Sequence, residues 1–435
     1  MKTKRSIVWF KSDLRLSDNE TFARATNESD EIIPVYIFDE AEYVETAFGT
    51  KKTGSFRFQF LLESLTDLNE QLISIGSKLV VLKGDTATVL EQIIKKHNVS
   101  KIYCKQEDAY GEKVRLAAVE EIAWKLLCTV ETFSTSTLFH ASDLPFPLKN
   151  IPEIFTDFRK KVEKESNVRK ISETPKSIKS PILPKFELPE ATDFGLKTIM
   201  VDQRTAFPFK GGETQALKRL NDYLFETHFI EKYKETRNGL IGESYSSKLS
   251  PWLTLGCISP KTIYFEIKRY EKEVHSNEST YWLIFELLWR DYFRFMMKKH
   301  NQEFFLQFGI KGENSPLHPH QSAAFEKWKN GETGNRFIDA NMLELKLTGF
   351  MSNRGRQNVA SYLHHDLQSD WRYGAAYFEE QLIDYNVCSN WGNWAYLAGV
   401  GNDPRGNRKF DTEKQAKEYD GNEVFRNYWL NKKYI

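Results

Sequence analysis

Four stretches of this chain carry side chains whose types and spacing suit chemistry. In Phe285-Glu-Leu-Leu-Trp-Arg-Asp-Tyr-Phe-Arg-Phe-Met-Met297 a carboxylate, Glu286, sits in a run that is apolar nearly all round, which predicts a helix buried in a large core. A carboxylate there is costly unless a partner or a ligand meets it, and Arg290, four residues on, is the partner that helical spacing offers. In Ser352-Asn-Arg-Gly-Arg-Gln-Asn-Val-Ala360, Asn353, Arg356 and Gln357 fall at i, i+3 and i+4. That puts two amides and a guanidinium on one helical face, a set that reads the polar edge of a planar heterocycle or holds a carboxylate. Tyr245-Ser-Ser-Lys-Leu-Ser-Pro-Trp-Leu253 places serines and a lysine just before a proline and a helical run. Such a setting suits a phosphate, although serines also simply cap helices. Finally, Asp384, Asn386, Asn390 and Asn393 interleave with Trp391 and Trp394, and Tyr396 follows. Amides between tryptophans can surround a flat aromatic ligand; a turn-rich core segment is the alternative.

Something must hold these residues in place. The runs Ser6–Phe10, Ile32–Phe38, Lys78–Leu82 and Lys101–Cys104 read as strands, and the segments Ser55 to Ile75 and Thr86 to Lys96 between them have helical period. This alternation predicts parallel βαβ units, so residues 1–133 read as an α/β domain with a doubly wound parallel sheet. Neither G-x-G-x-x-G nor G-x-x-x-x-G-K-[ST] occurs in it, which removes local support for ordinary dinucleotide or P-loop chemistry. Residues 134–207 lose their period to proline and charge and read as a long linker. Residues 208–435 carry one helical segment after another and predict a larger all-α domain.

Composition narrows the classes. At 435 residues the chain accommodates two large domains, and Lys+Arg 61 against Asp+Glu 60 leaves no global field to draw it to nucleic acid or lipid. No apolar run reaches the ~18 residues of a membrane span, and the basic start lacks a signal-peptide core, so a cytoplasmic protein is expected. Cys104, Cys128, Cys257 and Cys388 show no C-x-x-C spacing; buried free thiols are expected rather than a metal or disulfide.

The blocks at Tyr233-Lys-Glu-Thr-Arg-Asn-Gly239, Tyr245–Trp252, Thr348–Gln357 and Asn390-Trp-Gly-Asn-Trp394 occur in the order found in the photolyase/cryptochrome flavoproteins. The chain resembles that family, specifically its DASH cryptochrome branch, from Ser6 to Asp420. The resemblance implies a U-shaped FAD in the helical domain, its phosphates meeting Ser246, Ser247, Lys248, Leu249 and Ser250 with Tyr233 nearby. Asn353, Arg356, Asp384, Asn386 and Asn390 match positions around the flavin, with Arg356 and Asp384 salt-bridged and Asn390 facing N5. Asn386 stands where the branch usually has aspartate.

The activity implied is light-driven repair of cyclobutane pyrimidine dimers, in which the cofactor carries the redox step and the protein positions the partners. Glu286 matches the carboxylate that hydrogen-bonds the dimer; Trp289, Asn353, Arg354, Gln357 and Tyr396 match the substrate pocket. The local basic residues Lys234, Arg237, Arg354 and Arg405 are candidates for phosphate contacts despite the neutral total, with an ordinary surface charge as the alternative for each. Gln357 and Tyr396 are more polar than their counterparts in duplex photolyases, which makes single-stranded DNA the expected substrate. Trp394 and Trp371 match the inner members of a tryptophan relay to FAD, whose outer position falls near His318, a poor substitute, so photoreduction is expected to be slow unless Trp328 or a tyrosine provides another exit. Glu107 matches a glutamate that contacts an antenna pigment, 5,10-methenyltetrahydrofolate. A monomer without metal is expected. The alternative is a photoreceptor that binds FAD and nucleic acid but signals without repair.

Overall fold

The apolar runs of the first third become strands because helices cover both faces of the sheet they form. In the computed structural model, which describes residues 3–312, 317–406 and 408–431, β1 (Arg5–Phe10), β2 (Glu31–Phe38), β3 (Val80–Lys83), β4 (Lys101–Lys105) and β5 (Thr129–Phe133) make one parallel sheet in the order β3-β2-β1-β4-β5. Alternation along β1 sends Ile7 and Trp9 to a core with Leu90, Ile93 and Val119, and Val8 and Phe10 to the opposite face. The second core does not stop at the sheet. It runs on through Leu65 and Leu68 of the Ser55–Ser74 helix into Trp252, Leu288, Met296 and Trp371 of the helical half.

Four strands are legible in the sequence; β5 is a fifth, paired in register with β4 at Lys101↔Thr129 through Lys105↔Phe133. Its residues are only half-buried as an edge strand, so its apolar signal is weak. The predicted linker also holds more than loop. Phe155–Glu165 is a helix that buries Phe155, Phe158 and Val162, and Phe155 stacks on Trp289 at 3.7 Å between ring centroids. Three apolar residues on a charged helix are a narrow stripe, which leaves only a weak helical period in the sequence.

The sheet order reverses direction at β1, which has β2 on one side and β4 on the other. In open parallel sheets, ligands bind beyond the carboxyl ends of the strands at such a point. A cavity of about 670 Å³ lies there, between the ends of β1, β2 and β4 and the helical half. All four cysteines are buried free thiols, and no helix among the described residues is long and apolar enough to cross a membrane.

Candidate active site

Three helices, with short segments around Tyr233, Ser250 and Asp384, enclose a second cavity, of about 430 Å³, inside the helical half. The Glu278–His300 helix starts at Asn277, whose side chain accepts from the Thr280 N–H, and runs 23 residues with Leu283, Leu287, Leu288 and Tyr292 buried. Glu286, Trp289, Arg290 and Phe293 follow one another at i, i+3, i+4 and i+7 on the stripe that faces the cavity. The Asn353–Ser361 helix is capped by Ser352, whose hydroxyl accepts from the Gly355 N–H at 3.0 Å, and it presents Asn353, Arg356 and Gln357. The Val387–Leu397 helix is capped by Asn386 and presents Ser389, Asn393 and Tyr396. Ser247, Leu249, Ser250 and Tyr233 close the remaining side.

At the centre, Arg356 donates to both carboxylate oxygens of Asp384 at 2.9 Å, and Ser250 donates to Asp384 at 2.6 Å. Thr254 donates to the Asp384 carbonyl at 3.0 Å. A carboxylate with two side-chain donors on it, on a residue whose own carbonyl is held by a third, is fixed in place. Glu286 is ion-paired, but with Arg237 rather than Arg290. Burial pushes the Glu286 carboxyl above its ordinary range while Arg237 pulls it back. Arg290 instead donates to the carbonyls of Ser136 and, at 3.1 Å, of Leu253, because a half-buried guanidinium satisfies its inward N–H groups on the nearest acceptors. Burial, with Arg294 nearby, lowers it to about 9.

Several expected residues are placed otherwise. Ser246 and Lys248 do not line the cavity. The Ser246 carbonyl accepts from Arg219 at 3.4 Å, and Lys248, in a left-handed backbone conformation at φ 60°, turns into the core over Tyr245 toward Glu344. Asn390 stands behind the wall, donating to the Ala375 carbonyl at 3.0 Å. Arg354 faces away as well, with N–H groups on Gln357 and Asn238, each at 3.0 Å. The Asn386 amide oxygen is already used on the Ser389 N–H at 3.2 Å. Lys234 is paired with Glu278, while Arg405 is exposed. Arg408 was not singled out from the sequence. It lines the cavity between Asp403 at 3.2 Å and the Tyr396 hydroxyl at 3.5 Å, and nothing in its Asn-Arg-Lys surroundings distinguishes it from a surface cation.

The inter-domain cavity has its own charges. Glu107 lies in it, paired with Lys11 at 3.0 Å; burial works to raise its carboxyl, but Lys11 and Lys105 outweigh that and hold it low. Glu112 is pushed up to about 7 by burial and by Glu107. Thr254 and Asn386 line both cavities, so the two are separated by single side chains.

Behind the active-site wall, Trp394 lies on Gly374, one helical turn beyond Trp371. It also meets Trp328 at 6.2 Å between centroids. His318, expected beside Trp371, has His364 as its ring neighbour at 4.7 Å.

A five-stranded parallel α/β domain set against a helical half that encloses this cavity is the architecture of the photolyase/cryptochrome class. The DNA photolyase domain matches residues 6–179, and the FAD binding domain of DNA photolyase matches residues 282–433. The cryptochrome DASH of Xenopus laevis is 47% identical over 430 residues, covering 98% of this chain and 82% of the relative. A cryptochrome crystal structure from Synechocystis superposes with a TM-score of 0.94 at 45% identity, covering 99% of this chain and 89% of that one. A bacterial class III photolyase from Agrobacterium tumefaciens superposes at 0.84 with 26% identity, covering 99% and 87%. The chain belongs to the photolyase/cryptochrome family, in its DASH cryptochrome branch. The family's FAD fits the donor set found here: serine hydroxyls beside a helix start suit phosphates, and amides around a fixed Arg356–Asp384 pair suit the edge of a flavin ring.

Proposed function

We propose that this protein is a blue-light-dependent lyase that splits cyclobutane pyrimidine dimers, chiefly in single-stranded DNA, acting as a monomer in the cytoplasm. The observation that carries this reading is Glu286: a carboxylate on the wall of the same cavity as the Arg356–Asp384 pair, held by a single cation, Arg237. Reduced FAD, when bound and excited, supplies the electron that opens the dimer and takes it back afterwards. The chain's own residues do the rest. Ser247, Leu249, Ser250 and Tyr233 hold the phosphate side of the cofactor; Arg356, Asp384, Asn353 and Asn386 hold its ring.

Glu286 orients the flipped dimer by hydrogen bonding its carbonyl or N–H edge, and its raised protonation range makes a carboxylic O–H available to a developing negative charge. Trp289, Gln357 and Tyr396 wall the dimer. Trp289 and Tyr396 meet edge to face at 6.1 Å, and Phe155 stiffens Trp289 from behind. Trp394 and Trp371 serve as a relay of electrons to FAD. The inter-domain cavity, with Glu107, takes methenyltetrahydrofolate as an antenna.

The test is direct. The purified protein is expected to show a flavin absorption spectrum and, once reduced and illuminated, to restore dimer-containing single-stranded oligonucleotides faster than the matched duplex. A flavin spectrum without repair of either substrate supports the photoreceptor instead.

A further inference from the structure

Trp371 has a second tryptophan beside it that the relay to FAD does not use. Its ring lies 5.7 Å from that of Trp391, edge to face, and Trp391 is part of the wall of the inter-domain cavity. The Trp391 indole N–H donates to the Tyr385 hydroxyl at 3.3 Å, and the Glu379 carboxylate lines the same wall. Arg57 stands over the Tyr385 ring at 4.7 Å.

The other route out of the core is built differently. Trp328 adjoins Trp394, but its N–H donates to the Val359 carbonyl at 3.0 Å, and the hydroxyl of neighbouring Tyr377 reaches only the Lys329 carbonyl, at 3.5 Å. A main-chain carbonyl does not take up a proton. An oxidised ring whose N–H or O–H ends on one keeps its positive charge in a poorly solvated place, and the hole returns. His318 offers no substitute, because imidazole is harder to oxidise than indole.

We propose that Trp391, Tyr385 and Glu379 form a proton-coupled exit of the tryptophan relay that ends in the inter-domain cavity. The inference rests on the reading of Trp394 and Trp371 as that relay. An electron passes from Trp391 to oxidised Trp371, and one from Tyr385 to oxidised Trp391. The Tyr385 O–H bond breaks as this happens, its proton going to the Glu379 carboxylate, which leaves a neutral tyrosyl radical and a neutral carboxylic acid. A soluble ene-diol such as ascorbate, entering the cavity where no antenna occupies it, returns one electron to Tyr385 and is oxidised to its radical, releasing its own proton to water, while Glu379 returns the proton to Tyr385.

Burial pushes the Glu379 carboxyl up to about 7 against the pull of Arg57, with Glu42 and Tyr385 also facing it, so near neutral pH it can both accept and release a proton. Trp371 lacks this option, since its own N–H is held by the Gln307 carbonyl at 2.9 Å.

The test is a laser flash on the protein loaded with oxidised FAD, read by transient absorption and electron paramagnetic resonance. Wild type is expected to yield a neutral tyrosyl radical that ascorbate removes. Tyr385→Phe and Trp391→Phe should abolish the signal, Glu379→Gln should slow its appearance without disturbing the rings, and Trp328→Phe should leave it unchanged. A tyrosyl radical that survives in Tyr385→Phe, or disappears in Trp328→Phe, overturns the proposal. Tryptophan radicals with the same lifetime in wild type and Trp391→Phe overturn the exit while leaving the relay intact. No tryptophan radical at any delay overturns both.

Discussion

Glu286 faces the cavity with one cation against it, and that arrangement makes its contribution separable from the fold. Glu286→Gln keeps the shape and removes the carboxylate, so flavin content should stay at the wild-type level while repair per absorbed photon falls by about one to two orders of magnitude, the size of a lost charge-assisted contact of ~1.5–3 kcal/mol. Repair quantum yield on a dimer-bearing oligonucleotide measures it, and an unchanged yield removes Glu286 from the substrate. Asn386 poses the complementary question. Its amide oxygen caps a helix, a task aspartate performs equally well, so Asn386→Asp should fold and bind FAD normally. It adds a negative charge at the cavity wall, and two unit charges 4 Å apart at an effective dielectric of about 20 interact by about 4 kcal/mol before solvent reduces it. The FAD reduction potential should therefore drop in Asn386→Asp, and a redox titration showing an equal or higher potential removes Asn386 from the flavin.

Helical spacing made much of the site legible at the scale of elements. Asn353, Arg356 and Gln357 could be assigned to one face because i, i+3 and i+4 fix a direction once the helix exists, and the cavity receives all three. The loop before Ser250 gave no such rule. Lys248 adopts φ 60°, which reverses its side chain relative to its neighbours, and no period encodes that. The partner of Glu286 was misread for a related reason: i+4 supplies Arg290, whereas the chain supplies Arg237 from 49 residues away. The turned-in Lys248 has its own consequence. Glu344, on the Arg336–Thr348 helix, is 1% exposed, and burial pushes its carboxyl up to about 8 despite Lys248 and Arg356, while burial drives Lys248 well below its ordinary range. A folded state that keeps the Glu344 proton to about pH 8, when the unfolded chain releases it near 4.5, is stabilised below that window and loses stability as pH rises through it. Glu344→Gln has no such proton. Its thermal stability relative to wild type should grow from about pH 5 to about pH 8, by on the order of a few kcal/mol, and parallel melting curves across that range would deny Glu344 its buried proton.

For the whole molecule the decisive quantity is a charge balance that leaves little for a polyanion. The net charge is +1, and the cations nearest the cavity are already engaged: Arg237 with Glu286, Lys234 with Glu278, Arg408 with Asp403, Arg354 with Gln357 and Asn238. Arg405 is exposed on the same side, and Lys409 is paired with Asp366 at 2.7 Å. Few phosphates can be neutralised without breaking an internal pair, so few counterions are released on binding. Under the proposed function, affinity for damaged DNA would then come mainly from the dimer seated in the cavity, against Trp289 and Tyr396. Two consequences follow from the same balance. With a slope of about −0.7 per phosphate neutralised on single strands, the logarithm of the binding constant should fall with the logarithm of salt by no more than about 2, and damaged strands should keep their advantage over undamaged ones at high salt. Extracting the dimer from a duplex costs a few kcal/mol that this weak backbone grip cannot offset, so the preference for single strands should persist at every salt concentration. Titrating a dimer-bearing oligothymidine and its duplex from low to high salt checks both, and a steep slope shared by damaged and undamaged DNA would mean that a basic surface, rather than the cavity, does the binding.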